Sequence, residues 1–241
     1  MRFLDSHVHL SDYPAIAPLV EYCRSSETLL FSVSTDGKSS ARSIALGRRY
    51  KGLVRPFVGV HPSEATAETS LVWLEEAIPD ASGIGEVGLD PRYSEVAQSS
   101  PQMKIFSEQL ALAEKSSKSI QIHSRRAERI CLETLPSFRL SRVLLHWFES
   151  EELCSVAASK GYYVSVGPAL LRSKRLARLA VEYPVDLLLA ESDGPVSFAA
   201  LGGVGGPALV PSVVFSLAYL KRTSFFEMAE VLLKNGLAFL G

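Results

Sequence analysis

Eight short apolar runs recur about every thirty residues with helix-like segments between them, and this spacing restricts the chain more than any other feature. The runs span residues 2–5, 28–34, 54–60, 82–87, 119–122, 142–145, 162–166 and 185–190. They are rich in Val, Leu and Ile and lack strict polar alternation, as expected of strands covered on both faces. The stretches 16–24, 39–49 and 71–77 have helical spacing. Strand and helix alternating in this way predict an α/β fold, a single (β/α)₈ TIM barrel over residues 1–241. The one Gly-rich candidate for a linker, 194–207, follows the last strand and precedes a helix, so it reads as a long barrel loop.

Local signals sharpen two of the helices. Ser100-Pro101 supplies a cap and a first-turn proline, and Phe106, Leu110 and Ala113 follow as one stripe. Ser224 and Glu227 form a capping-box pattern ahead of Phe225, Met228, Ala229, Leu232 and Leu233, and Gly236 is expected to close that helix.

The 241 residues are 47% hydrophobic and 21% charged, enough for a large core without disulfides. A net charge of −1 excludes a global basic field, so a polyanion would have to be held by local cations or metal ions. Cys23, Cys131 and Cys154 are scattered and form no CxxC pair, which argues for small core residues in a reducing compartment and against a thiolate metal site. The longest apolar run, 208–220, contains Pro211 and falls short of the roughly 20 residues a membrane span needs. Asp5, His7 and His9 interrupt any signal-peptide stretch, so a cytoplasmic location without a membrane partner is expected.

The five histidines all stand at strand ends: His7 and His9 after the first run, then His61, His123 and His146 after the third, fifth and sixth. Glu86 and Asp193 stand at strand ends as well. In a parallel barrel those ends share one face, so groups far apart in sequence converge. His-x-His spacing turns two imidazoles to the same side of a strand. Imidazole and carboxylate together suit divalent Zn, Mn, Fe or Co. A lone histidine at a strand end is ordinarily a hydrogen-bonded loop residue, but that reading does not account for the whole set.

The motifs Asp5-Ser6-His7-Val8-His9-Leu10, Gly59-Val60-His61-Pro62, Gly85-Glu86-Val87-Gly88-Leu89-Asp90, Ile122-His123-Ser124-Arg125, His146-Trp147-Phe148 and Glu191-Ser192-Asp193-Gly194-Pro195 resemble, in order, those of the TatD family of metal-dependent deoxyribonucleases, within the amidohydrolase-like superfamily. The resemblance implies that His7, His9, Glu86 and Asp193 hold one divalent ion and that Glu86 bridges to a second, completed by His123 and His146. It implies catalytic roles for Glu86 and Asp193, the latter as the base that takes a water's proton, and supporting or substrate-contacting roles for His61 and Glu191; Arg125, two residues after His123, is placed by its position to contact the substrate. The implied cofactors are two divalent metal ions (Zn, Mn, Mg, Fe or Co). The implied partner is DNA, single-stranded or at its 3′ ends, cleaved as by a 3′–5′ exonuclease.

Arg92, Arg125 and Arg126 follow ligand-bearing strands and are expected at the mouth, whereas Arg175 and Arg178 read as a solvated helix face. The chain departs from the family at Ser192, at Trp147 and in the uncharged stretch Leu201-Gly-Gly-Val-Gly-Gly-Pro207. Two alternatives therefore stand beside the nuclease: a hydrolase of a small ester, lactone or amide, and a catalytically idle barrel that binds metal or a partner.

Overall fold

In the computed structural model, which describes residues 2–198 and 203–241, eight strands form one sheet in sequence order, each parallel to the next. They are β1 (Phe3–Val8), β2 (Thr28–Ser32), β3 (Val54–Val58), β4 (Gly83–Gly88), β5 (Ser119–His123), β6 (Val143–His146), β7 (Tyr163–Val166) and β8 (Leu188–Ala190). The helices between and after them are α1 (Ile16–Ser25), α2 (Gly37–Arg49), α3 (Val72–Ala77), α4 (Pro101–Ser116), α5 (Glu128–Thr134), α6 (Cys154–Ser159), α7 (Lys174–Glu182), α8 (Val210–Lys221) and α9 (Phe225–Leu240). Past the end of β8 the sheet curls back onto β1: Asp193 N–H donates to His7 O at 2.9 Å, and Ser192 N–H to Asp5 Oδ1 at 2.8 Å. The result is the nearly closed (β/α)₈ barrel that the strand spacing predicts.

Side chains of each strand divide between two cores. Val143, Leu145, Val164, Val166, Leu188 and Ala190 point outward and pack with Phe106, Leu110, Leu179 and Leu217 of the surrounding helices. Leu144 and Leu189, one residue out of phase, point inward and join Leu4, Phe31 and Phe57 in a separate layer. Phe239 from α9 enters this layer, 6.1 Å from Phe57 and 6.3 Å from Phe31 between ring centroids. The C-terminal helix thus seals one end of the barrel with an aromatic plug, and the polar strand ends are left at the other.

Both caps form as expected: Ser100 accepts from Met103 N–H at 3.2 Å, and Ser224 and Glu227 make the reciprocal box. The three cysteines are buried. Two local expectations need correction. Gly236 does not end α9, which continues to Leu240; a Cβ there would overlap Leu4 Cδ2, so the glycine permits close packing of helix on strand. The run 185–190 begins with a 3₁₀ turn at Val185–Leu187 and is extended only from Leu188, and Asn235 of α9 donates to the carbonyls of Val185 and Leu188. The Gly-rich loop carries a small antiparallel pair, β9 (Ser197–Phe198) with β10 (Gly203–Val204). Leu201 and Gly202 of its neutral stretch lie outside the described residues.

Candidate metal centre

The His-x-His spacing on β1 produces the convergence expected of it. His7 and His9 both aim Nε2 at one carboxylate oxygen, Glu86 Oε2, each at 3.3 Å. Asp193 Oδ1 lies 3.8 Å from His7 Nε2 and 3.5 Å from His9 Nε2. The other oxygen of Glu86 faces a different group: His123 Nδ1 at 2.5 Å, His146 Nε2 at 3.6 Å and His61 Nε2 at 3.8 Å. Glu86 is buried at the centre, its backbone N–H held by Ser34 O at 2.8 Å. Among the described residues three overlapping groups are close enough to hold a cation: His7, His9 and Glu86; His7, His146 and Asp193; and His61, Glu86 and His123.

Several partners fix these side chains from behind. His146 Nδ1 is 2.8 Å from Glu191 Oε2, and His123 Nε2 is 3.0 Å from Asp90 Oδ2. His7 Nδ1 is 2.8 Å from Gln121 Oε1. Asp90 is in turn clamped by Gln102 of α4, which accepts from its N–H at 2.8 Å and donates to its carbonyl at 2.9 Å. Gln109, two turns along the same helix, treats Val60 in the same way, just before His61. Asp193 adopts a left-handed backbone (φ 49°), which a short polar side chain tolerates. Beside it, Tyr13 donates to Gly205 O at 2.8 Å and occupies the space a side chain on Gly194 would need.

Sequence reasoning assigned no role to Asp90, Gln121, Gln102 or Gln109. A signal existed for Gln121, which precedes His123 by two residues and so shares its face of β5. The two α4 glutamines carry none, because a polar residue on a helix reads as solvated until the loop opposite is known.

Electrostatics follow from one buried carboxylate among five imidazoles. Burial alone would raise Glu86, but His61, His7, His123 and His146 hold it well below the ordinary carboxylate range. Burial also works against charge on His9, yet the hydrogen bonds it donates to Asp193 and Glu86 outweigh it and push the ring up to about 10. His146, backed by Glu191, is likewise pushed up to about 9 against its own burial. His61, buried beside Glu86 and His123, is drawn down to about 4 by that burial and stays neutral.

These donors suit a divalent cation. Among the described residues His7 Nε2 is a fully buried ring nitrogen with no hydrogen-bond partner, yet it faces two carboxylates. A buried polar atom left this way is costly unless something positive completes it, and the N/O donor set is one that several divalent metals accept.

The family model of TatD-related DNases matches residues 4–241. The chain belongs to this family. It is 27% identical to human deoxyribonuclease TATDN3 over 97% of this chain and 93% of that protein. It is 28% identical to YjjV of Escherichia coli K12, an uncharacterized metal-dependent hydrolase, over 97% of this chain and 96% of that one. The crystal structure of YjjV, a TatD homologue, superposes with a TM-score of 0.84 at 25% identity, covering 97% and 96% of the two chains. A metal-dependent hydrolase acting on ester bonds is the class to which these relatives assign the chain.

In this TatD-family barrel the centre opens into a cavity of about 1300 Å³ with two unlike walls. Arg92, Arg125 and Arg126, from the segments after β4 and β5, line one sector as expected. Among the described residues none of the three is in an ion pair. The sector after β6 is acidic, with Glu149, Glu151 and Glu152. Here the expectation of a purely solvated face on α7 is corrected: Arg175 pairs with Glu149, and Arg178 with Glu151 at 2.9 Å, so both line the mouth while remaining more than half exposed.

Proposed function

We propose that this chain hydrolyses phosphodiester bonds of DNA at single-stranded or 3′ ends, as a 3′–5′ exonuclease working with two divalent cations. The observation that carries the reading is Glu86, whose two oxygens face separate imidazole groups, His7 with His9 and His123 with His146. In this reading His7, His9, Asp193 and Glu86 would hold one cation, and Glu86, His123 and His146 would hold the other. When bound, the cations supply Lewis-acid charge that eases deprotonation of a water and offsets charge gathering on the phosphoryl oxygens.

The remaining steps fall to the chain itself. Asp193 is kept ionised, since the imidazoles of His146, His9 and His7 outweigh its burial, and its carboxylate takes the proton of the attacking water. Arg125, two residues beyond His123 and lining the same cavity, grips a non-bridging phosphate oxygen with its guanidinium fork. Glu191 holds His146 by its Nδ1, and neutral His61, which lines the cavity, contacts the substrate. Glu149 and Glu151 already hold Arg175 and Arg178, so among the described residues the lining guanidiniums outside an ion pair are Arg92, Arg125 and Arg126; the polyanion leaves over that sector and the scissile bond lies near a chain end. A cytoplasmic setting accords with the buried free thiols, and no helix among the described residues is long and apolar enough to cross a membrane.

The test is metal-dependent release of nucleotides from single-stranded DNA labelled at either end, run beside a panel of small esters, lactones and amides. Mononucleotide release from the 3′ end is expected. Turnover of a lactone or ester with no cleavage of any oligonucleotide would overturn the nuclease reading in favour of a small-molecule hydrolase.

A further inference from the structure

Two stacked histidines at the base of the centre are backed differently. His7 and His146 lie face to face, ring centroids 3.5 Å apart and planes 7° from parallel. Behind His146 stands a carboxylate, Glu191. Behind His7 stands a neutral amide, Gln121, reached across the barrel from β5. Both His7 and Gln121 are fully buried, so water cannot replace the contact.

We propose that Gln121 is the positioning residue that selects the metal-binding tautomer of His7. This rests on the proposed role of His7 as a ligand. Stacking on His146 fixes the plane of the His7 ring but not which nitrogen carries the proton. The amide oxygen decides that: Oε1 at 2.8 Å only accepts, so Nδ1 carries the hydrogen and donates it. Nε2 is then left with its lone pair toward Glu86 Oε2 and Asp193 Oδ1, the donor state a cation requires. Position 85 helps to set this contact, because a Cβ on Gly85 would stand 2.9 Å from Gln121 Cβ and displace the side chain. Among the described residues the amide nitrogen, Nε2, has no hydrogen-bond partner, so the contact of Oε1 with His7 is the hydrogen bond this side chain makes. A neutral acceptor steers the proton without adding charge to a centre that already holds Glu86 and Asp193.

The experiment compares the full chain with Gln121→Leu, which removes the acceptor, and Gln121→Glu, which restores one. Ring nitrogens of the metal-free wild-type protein, followed by ¹⁵N NMR, are expected to show His7 protonated at Nδ1. Zn²⁺ affinity is then read by competition with a chromophoric chelator. Gln121→Leu is expected to weaken one Zn²⁺ by about 10–100-fold, the scale of losing such an outer contact, with Gln121→Glu recovering most of it. A wild-type His7 protonated at Nε2, or a folded Gln121→Leu that binds Zn²⁺ as the wild type does, would overturn the assignment. Should Gln121→Leu fail to fold, the wild-type tautomer alone decides. A wild-type protein that takes up a single Zn²⁺ would remove the two-cation reading, whereas the tautomer would still decide the role of Gln121.

Discussion

Proton competition gives the sharpest test of the centre, with pH as the perturbation. A protonated imidazole has no lone pair for a metal, so a raised pKa in the metal-free protein is a barrier to uptake. His9 is pushed up to about 10 and His146 to about 9, one ring from each proposed cation group. At pH 7 both therefore carry protons, and each incoming ion must displace at least one. The sign follows: affinity rises with pH and levels off only as pH passes each folded value. One proton released per ion means tenfold in affinity per pH unit, hence about a hundredfold, or about 2.7 kcal/mol, per ion between pH 6 and 8. His123 is also raised, its burial outweighed by Glu86 and Asp90, so its group should climb at least as steeply. Chelator competition at pH 6, 7 and 8 measures the slope, and calorimetry in buffers of different ionisation enthalpy counts the protons. Affinity that stays flat over this range would refute the claim that these carboxylates hold protons on His9 and His146.

Three further outcomes are expected. Asp193→Asn should lower kcat by about 10²–10⁴-fold with an unchanged circular dichroism spectrum, the scale of general-base help; near-native turnover at saturating metal would rule that role out. Arg125→Ala should raise KM by an amount equivalent to about 1.5–3 kcal/mol, with wild-type kcat/KM nearly equal on short and long oligonucleotides; a steep gain with strand length would show that contacts extend well beyond the terminal nucleotides. Gly236→Val forces a side chain into Leu4 and should cost about 1–3 kcal/mol in urea denaturation, whereas an unchanged midpoint would mean that α9 does not pack closely on β1.

Read alone, the sequence already determined the barrel and the membership of its mouth. Runs of Val, Leu and Ile at regular spacing admit few other folds, and parallel strands bring their C-terminal ends to one face whatever the loops do. That rule, with the two-residue repeat of a strand, is enough to gather His7, His9, Glu86, His123, His146 and Asp193 at one mouth. Tertiary structure alone decided what stands behind those groups. Gln121 meets His7 from four strands away, Asp90 meets His123 between neighbouring strands, and Gln102 and Gln109 turn inward from a helix to hold the loops in place. Arg175 belongs to the mouth because Glu149 reaches it, and Gly236 lies within a helix because Leu4 takes the space beside it. Such contacts join residues with no fixed separation along the chain. Periodicity reports which way a side chain points, and only the packed barrel settles what it meets there.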